Sequence, residues 1–226
     1  MPKLRIPVLI INFKNYLEVA GEGALRLARI AEEVAQETGA SIVLCPPLPN
    51  LSQVCASVRI PVFAQHTDPE KAGSSTGAVV AEVIKAAGAK GSLLNHSEKR
   101  IATEEIRSTT QRLREVGLIS VVCAREPSEV SLYTKLSPDY IAIEPPELIG
   151  SGIAVSRAKP EVITDSVKAA STNPEVGVIC GAGIVDGGDV AAALRLGACG
   201  VLVASGIVKA ADWRSKILEL SRALCE

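Results

Sequence analysis

Short apolar runs recur along this chain, and each gives way to a segment with helical spacing. The runs are Val8–Ile11, Ser41–Cys45, Pro61–Ala64, Gly91–Leu94, Ile119–Cys123, Tyr140–Ile143, Gly177–Cys180 and Gly200–Val203. They are rich in β-branched residues and too short for helices, so they read as strands. The segment after the first run carries Leu27, Ile30, Ala31 and Val34, the stripe of a helix with one buried face. Ile106, Thr110 and Leu113 follow Thr103-Glu104-Glu105, which reads as a cap with an acidic first turn. Trp213, Ile217, Leu220 and Leu224 make the last stripe, and Gly39, Gly88 and Gly117 each sit where a helix would end.

Strict alternation of strand and helix predicts an all-parallel sheet. Eight such units in one chain point to closure into a (β/α)8 barrel, a single α/β domain spanning residues 1–226. An open, doubly wound sheet is the rival. It would place a glycine-rich fingerprint after the first strand, where this chain has Asn12-Phe13-Lys14-Asn15. The chain is short for a barrel, whose usual length is about 250 residues. The helices after the second and fifth strands are therefore expected to be stunted.

Composition agrees with such a core. Hydrophobic residues make up 47% but aromatics only 3%, so the interior must be built from Val, Ile, Leu and Ala, as in a parallel sheet under helices. The net charge of -1 leaves no surplus for nucleic acid or a membrane surface, so any anion site must be local. No run reaches transmembrane length, and the residues around Lys3, Arg5 and Pro7 do not compose a secretion signal. The six cysteines contain no C-x-x-C, so free thiols of a cytoplasmic protein are expected, with no metal site.

In barrels of this kind the chemistry sits where strands end. The first strand delivers Asn12 and Lys14, two residues apart and so on one side of an extended chain. The third delivers Gln65 and His66. The fourth delivers Asn95, His96 and Glu98, and the sixth Glu144. A lysine, a histidine and a carboxylate on one face can bind an anion, polarise a carbonyl and abstract a proton. The seventh and eighth strands end in Cys-Gly-Ala-Gly-Ile and Val-Ala-Ser-Gly, small residues that leave backbone N–H groups open for a phosphate. Pro145-Pro146 and Gly150-Ser151-Gly152 bracket a short apolar tip, the pattern of a hinged lid.

These motifs match a family. "NFKNY" resembles the N-x-K signature of triosephosphate isomerases, "NHSEKR" their N-H-S-E-[KR]-R signature, and "IAIEPPELIGSG" their A-x-E-P-x-x-x-I-G-[TS]-G lid. All three stand in the family's order on the expected strands. The resemblance implies interconversion of dihydroxyacetone phosphate and D-glyceraldehyde 3-phosphate, a step of glycolysis and gluconeogenesis, with no cofactor. It implies Glu144 as the base, His96 as a neutral electrophile, Lys14 as the cation tethered by Glu98, and Asn12 as a substrate contact. The phosphate would meet backbone N–H groups near Ile149, Gly150, Gly183, Ala204 and Ser205. Cys123 would support Glu144. These roles come from the family, itself a worked case of acid–base tuning, and not from spacing.

The chain departs from the common pattern after strand seven, where Tyr-Gly-Gly-Ser-Val is usual, after strand eight, where Gly-Gly is usual, and at the lid tip. These departures resemble the short archaeal branch, which implies a homo-oligomer, a tetramer or dimer. Two rival readings are an aldolase-type lyase with a Schiff base on Lys14, and a non-catalytic barrel that binds phosphorylated sugars.

Overall fold

The structure is a computed structural model, in which residues 3–146 and 158–225 are described. Eight parallel strands run β1 Val8–Asn12, β2 Ser41–Cys45, β3 Phe63–Ala64, β4 Gly91–Leu94, β5 Ile119–Ala124, β6 Tyr140–Ile143, β7 Gly177–Cys180 and β8 Gly200–Val203. Their order is β2-β1-β8-β7-β6-β5-β4-β3. A single bridge between Leu44 and Val62 brings β2 to the segment before β3, so the sheet nearly closes on itself. This is the (β/α)8 barrel that the alternation predicts. The third strand is shorter than expected. Pro61 has no N–H to give to a ladder, and its carbonyl instead accepts the Leu44 N–H at 3.0 Å.

Each strand buries both faces, which explains why the strands read as unbroken apolar runs rather than alternating ones. Val8, Ile10, Val43, Phe63, Leu93, Val121, Ala142, Ile179 and Leu202 fill the barrel interior. Leu9, Ile11, Ile42, Leu44, Leu94, Val122 and Ile143 face outward into a second cluster under the helices. At the amino-terminal end, the Leu4 N–H donates to the Tyr140 hydroxyl at 3.2 Å.

The helices that follow the strands are α1 Glu22–Thr38, α2 Leu51–Ser57, α3 Ala81–Ala86, α4 Thr103–Val116, α5 Pro127–Thr134, α6 Pro160–Ala170, α7 Gly187–Arg195, α8 Ser205–Val208 and α9 Trp213–Cys225. The units after β2 and β5 are stunted, as the chain length requires, and α3 is shorter still. Gly39 and Gly117 cap α1 and α4 in the left-handed conformation, at φ 72° and 75°. Thr103 is not the cap of α4. Ala102 holds that position, and the Glu105 carboxylate reaches back to accept its N–H at 2.9 Å. No helix among the described residues is long and apolar enough to cross a membrane.

Candidate active site

Lys14, His96 and Glu144, from the ends of β1, β4 and β6, line one cavity at the carboxyl-terminal mouth. Gly181 to Val185 and Leu202 to Gly206 complete its described wall. The cavity holds about 90 Å³, well below the ~300–1,000 Å³ of drug-sized pockets, so it suits a small substrate. Of the residues expected from sequence, Gly183, Ala204 and Ser205 stand in this wall. Ile149 and Gly150, with most of the expected lid, lie outside the described residues.

Asn12 and Glu98 reach the site through Lys14. β1 stops at Asn12, and Lys14 takes a left-handed backbone at φ 49°. The two residues therefore do not share a side by strand alternation, as the spacing predicts. A turn brings them together, and the Asn12 Oδ1 accepts the Lys14 N–H at 2.9 Å. Between them Phe13 is buried in the outer core. A left-handed lysine is uncommon and costs about 1 kcal/mol, so something must hold it. The Gln65 side-chain amide, after β3, donates to the Lys14 carbonyl at 2.8 Å and to the Cys45 carbonyl at 2.9 Å. The Lys14 ammonium then pairs with Glu98 at 2.7 Å.

His96 follows Asn95, another non-glycine residue at positive φ, 58°. Asn95 is buried. Its amide donates to the Cys123 carbonyl at 2.9 Å and its side-chain oxygen accepts the Ile101 N–H at 3.1 Å. Arg100 donates to the Asn95 carbonyl at 3.3 Å and to both Glu129 oxygens at 2.8 Å. The turn that carries His96 is thus tied to β5 and α5. On the ring, Nδ1 accepts the Glu98 N–H at 3.2 Å. That bond assigns the proton of a neutral imidazole to Nε2. Nε2 lies 3.4 Å from Glu144 Oε1.

Glu144 is only 4% exposed. Its other oxygen, Oε2, has no hydrogen-bond partner among the described residues. Burial raises its carboxyl above the ordinary value, against the pull of His96 and Lys14. The Cys123 thiol lies beside it and is pushed well up, by its own burial first and by the Glu144 charge second. Room for the Glu144 side chain comes from Gly181, where a Cβ would stand 2.6 Å from Glu144 Cγ. The sequence pattern marks Gly181 only as one of several small residues in a phosphate turn. The roles of Gln65 in holding Lys14, and of Arg100 and Glu129 in holding the His96 turn, have no signal in the spacing at all.

A (β/α)8 barrel whose mouth brings a buried carboxylate, an imidazole and an ammonium into one small cavity belongs to the class of barrel enzymes that move protons on small anionic substrates. The triosephosphate isomerase family profile matches residues 7–221. The triosephosphate isomerase of Methanosarcina barkeri is 48% identical over 220 residues, covering 97% of this chain and 99% of that one. Those of Methanothermobacter thermautotrophicus and Caldivirga maquilingensis are 51% and 49% identical, covering 95% and 98% of this chain and 94% and 99% of theirs. The chain belongs to the triosephosphate isomerase family.

Proposed function

We propose that this chain interconverts dihydroxyacetone phosphate and D-glyceraldehyde 3-phosphate at the cavity lined by Lys14, His96 and Glu144. The observation that carries the reading is the buried Glu144 carboxylate, with one oxygen unpartnered and the other 3.4 Å from His96 Nε2. A carboxylate removed from water is a stronger base than one in solvent. Glu144 takes the proton from C1 of the ketose. The electron pair left behind becomes the C1–C2 double bond of an enediolate, and charge moves onto the C2 oxygen. His96 Nε2–H donates to that oxygen. The proton of the C1 hydroxyl passes to the C2 oxygen and the charge to the C1 oxygen. As the C1–O bond becomes a carbonyl, the C1–C2 double-bond pair takes the proton back from Glu144 at C2 and gives the aldose, so nothing is consumed and no redox partner is needed.

Lys14 stabilises the negative charge of the substrate and of the enediolate. Glu98 keeps its ammonium in place, and Asn12 fixes its backbone. The phosphate is held by N–H groups near Gly183, Ala204 and Ser205. The first N–H groups of α8 have no partner within that helix, and Gly183 takes φ 72°, a conformation that suits glycine. Ile149 and Gly150 would complete the phosphate site. The reading includes a cytoplasmic homo-oligomer, a dimer or tetramer. The oligomer is supported by the resemblance to the archaeal branch.

The aldolase reading is weaker. Its Lys14 would have to be a free amine, and here the ammonium is engaged with Glu98 at 2.7 Å. A coupled assay on glyceraldehyde 3-phosphate tests the proposal: turnover by the pure chain is expected, and its absence would overturn the reading. Borohydride reduction in the presence of substrate is expected to leave Lys14 unmodified, whereas an adduct there would favour the lyase.

A further inference from the structure

We propose that Lys216 and Glu219, on the C-terminal helix, are positioning residues for the substrate phosphate. This rests on the reading of the segment after β7 as part of the phosphate site. That segment forms one wall of the cavity with Gly181 to Val185 and leads through Asp186 into α7. Its inner attachment is to its own helix. Asp189 Oδ2 accepts the N–H groups of Val185 at 2.9 Å and Asp186 at 3.2 Å, and Asp186 Oδ1 accepts the Asp189 N–H at 2.9 Å.

Its outer attachment is to a different helix. Lys216 Nζ donates to the Val185 carbonyl at 3.1 Å and pairs with Glu219 Oε2 at 2.7 Å. The other oxygen, Glu219 Oε1, accepts the Gly187 N–H at 3.1 Å. Lys216 and Glu219 are three residues apart, so they share one face of α9. The seat is close: a Cβ on Gly187 would stand 3.3 Å from both Ala223 Cβ and the Glu219 carbonyl oxygen.

Val185 is therefore gripped from both sides, its N–H by Asp189 and its carbonyl by Lys216. The preceding residues, Gly183 and Ile184, line the cavity. Fixing Val185 fixes the peptide planes next to it, and with them the direction of the N–H groups that meet an anion. Such preorganisation costs nothing at the moment of binding. Neither Lys216 nor Glu219 lines the cavity, so their effect passes through the loop.

The phosphate is bound alike in the ground and transition states, so loosening its cradle should raise KM and leave kcat nearly unchanged. The variant is Lys216→Met, which keeps the length of the stem and removes the donor. KM for glyceraldehyde 3-phosphate and the competitive inhibition constant of inorganic phosphate are both expected to rise about fivefold, the net worth of one ordinary hydrogen bond, since the Lys216 head is part-exposed. Lys216→Arg should restore both. Glu219→Gln, which keeps the acceptor for Gly187 and loses the ion pair, gives a milder shift in the same direction if Lys216→Met folds poorly. Unchanged constants in a folded variant, or a fall in kcat that matches the rise in KM, would overturn the clamp. If inorganic phosphate fails to compete with substrate in the unaltered protein, the phosphate reading itself falls. If it competes but neither variant moves its constant, only the clamp falls.

Discussion

The two sides of the barrel mouth are built on different plans. On the side of β1, β4 and β6 the working groups are long side chains, and two of them, Lys14 and His96, stand on turns tied to other strands and helices. Lys14 is held by Asn12, Gln65 and Glu98. The His96 turn is tied to β5 through Asn95 and to α5 through Arg100 and Glu129. On the side of β7 and β8 small residues, Gly181, Ala182, Gly183, Ala204, Ser205 and Gly206, make much of the wall, beside Ile184, Val185, Leu202 and Val203. There the backbone itself is what a ligand meets. The difference follows from the two tasks. Proton transfer needs titratable groups placed to within a fraction of an ångström, with the reacting atoms about 3–3.5 Å apart. Holding a spread-out dianion needs several donors at once with little of their own bulk in the way. Changes on the first side should therefore act on kcat, and changes on the second on KM.

The largest effect is expected at Glu144. Glu144→Asp keeps the charge and withdraws it by one methylene, and a misplacement of about 1 Å can cost about 100-fold in rate. A loss of this order in kcat, with KM little changed, is expected in steady-state kinetics. Near-full kcat would remove Glu144 from the role of base. Gly181→Ala tests whether the comparison is too simple, because Gly181 lies on the phosphate side but makes room for the carboxylate. Its new Cβ must displace Glu144 Cγ, so kcat should fall by roughly tenfold while the inhibition constant of inorganic phosphate barely moves. The reverse pattern would assign Gly181 to the phosphate.

Gln65→Ala removes both bonds that hold the Lys14 and Cys45 carbonyls. A fall in kcat/KM of about fivefold is expected, close to the net value of one hydrogen bond. An unchanged value would mean that Asn12 alone secures the left-handed turn.

The smallest effect concerns pH and stability. The Glu144 carboxyl is raised by burial, and the base works as the carboxylate. The acid limb of kcat/KM should therefore lie above about pH 4.3, the value of a free glutamate. The same shift has a sign for folding. The folded protein holds this proton to a higher pH than the unfolded chain does. The stability associated with the neutral carboxyl is thus present below about pH 4.3 and is lost as pH rises through the folded value. Glu144→Gln, which cannot ionise, should melt about 2–4 °C higher at pH 8, the shift given by about 1 kcal/mol in a chain of this size. An equal or lower melting temperature would show that the buried charge carries no net cost.

The strands were legible because each is an apolar run with both faces buried, and a much longer segment of other character separates one run from the next. The exception is instructive. β3 shrinks to Phe63–Ala64, since Pro61 has no N–H to add to a ladder. The cap of α4 was misplaced by one residue for a local reason: Thr103 is the usual kind of capping residue, but Glu105 satisfies Ala102 by reaching backward. In the site, Lys14, His96 and Glu144 stand out by their place at strand ends, Gly183, Ala204 and Ser205 follow from the resemblance to the family, and the structure gathers all six around one cavity. What stayed hidden are the partners that act across the fold. Gln65 meets Lys14 from 51 positions away, and Lys216 meets Val185 from 31. Neither distance has a period, so no pattern in the sequence announces it.

The seam between β2 and β3 has a consequence for the order in which the barrel opens. β2 and β3 meet at the single Leu44–Val62 bridge and β7 and β8 at the single Cys180–Val201 pair, whereas the other neighbouring strands share ladders of two or more pairs. The Cys45 carbonyl at the top of the seam accepts both the Phe13 N–H at 3.0 Å and the Gln65 amide at 2.9 Å, so a side chain closes what the backbone leaves open. Amide protons in proteins exchange with solvent from the least stable units first. Along this seam, where β3 itself is only two residues long, they should exchange early, with the barrel parting there like a sheet along a loosely sewn edge. Gln65 would then be the last stitch to hold, the same residue that keeps Lys14 facing the cavity.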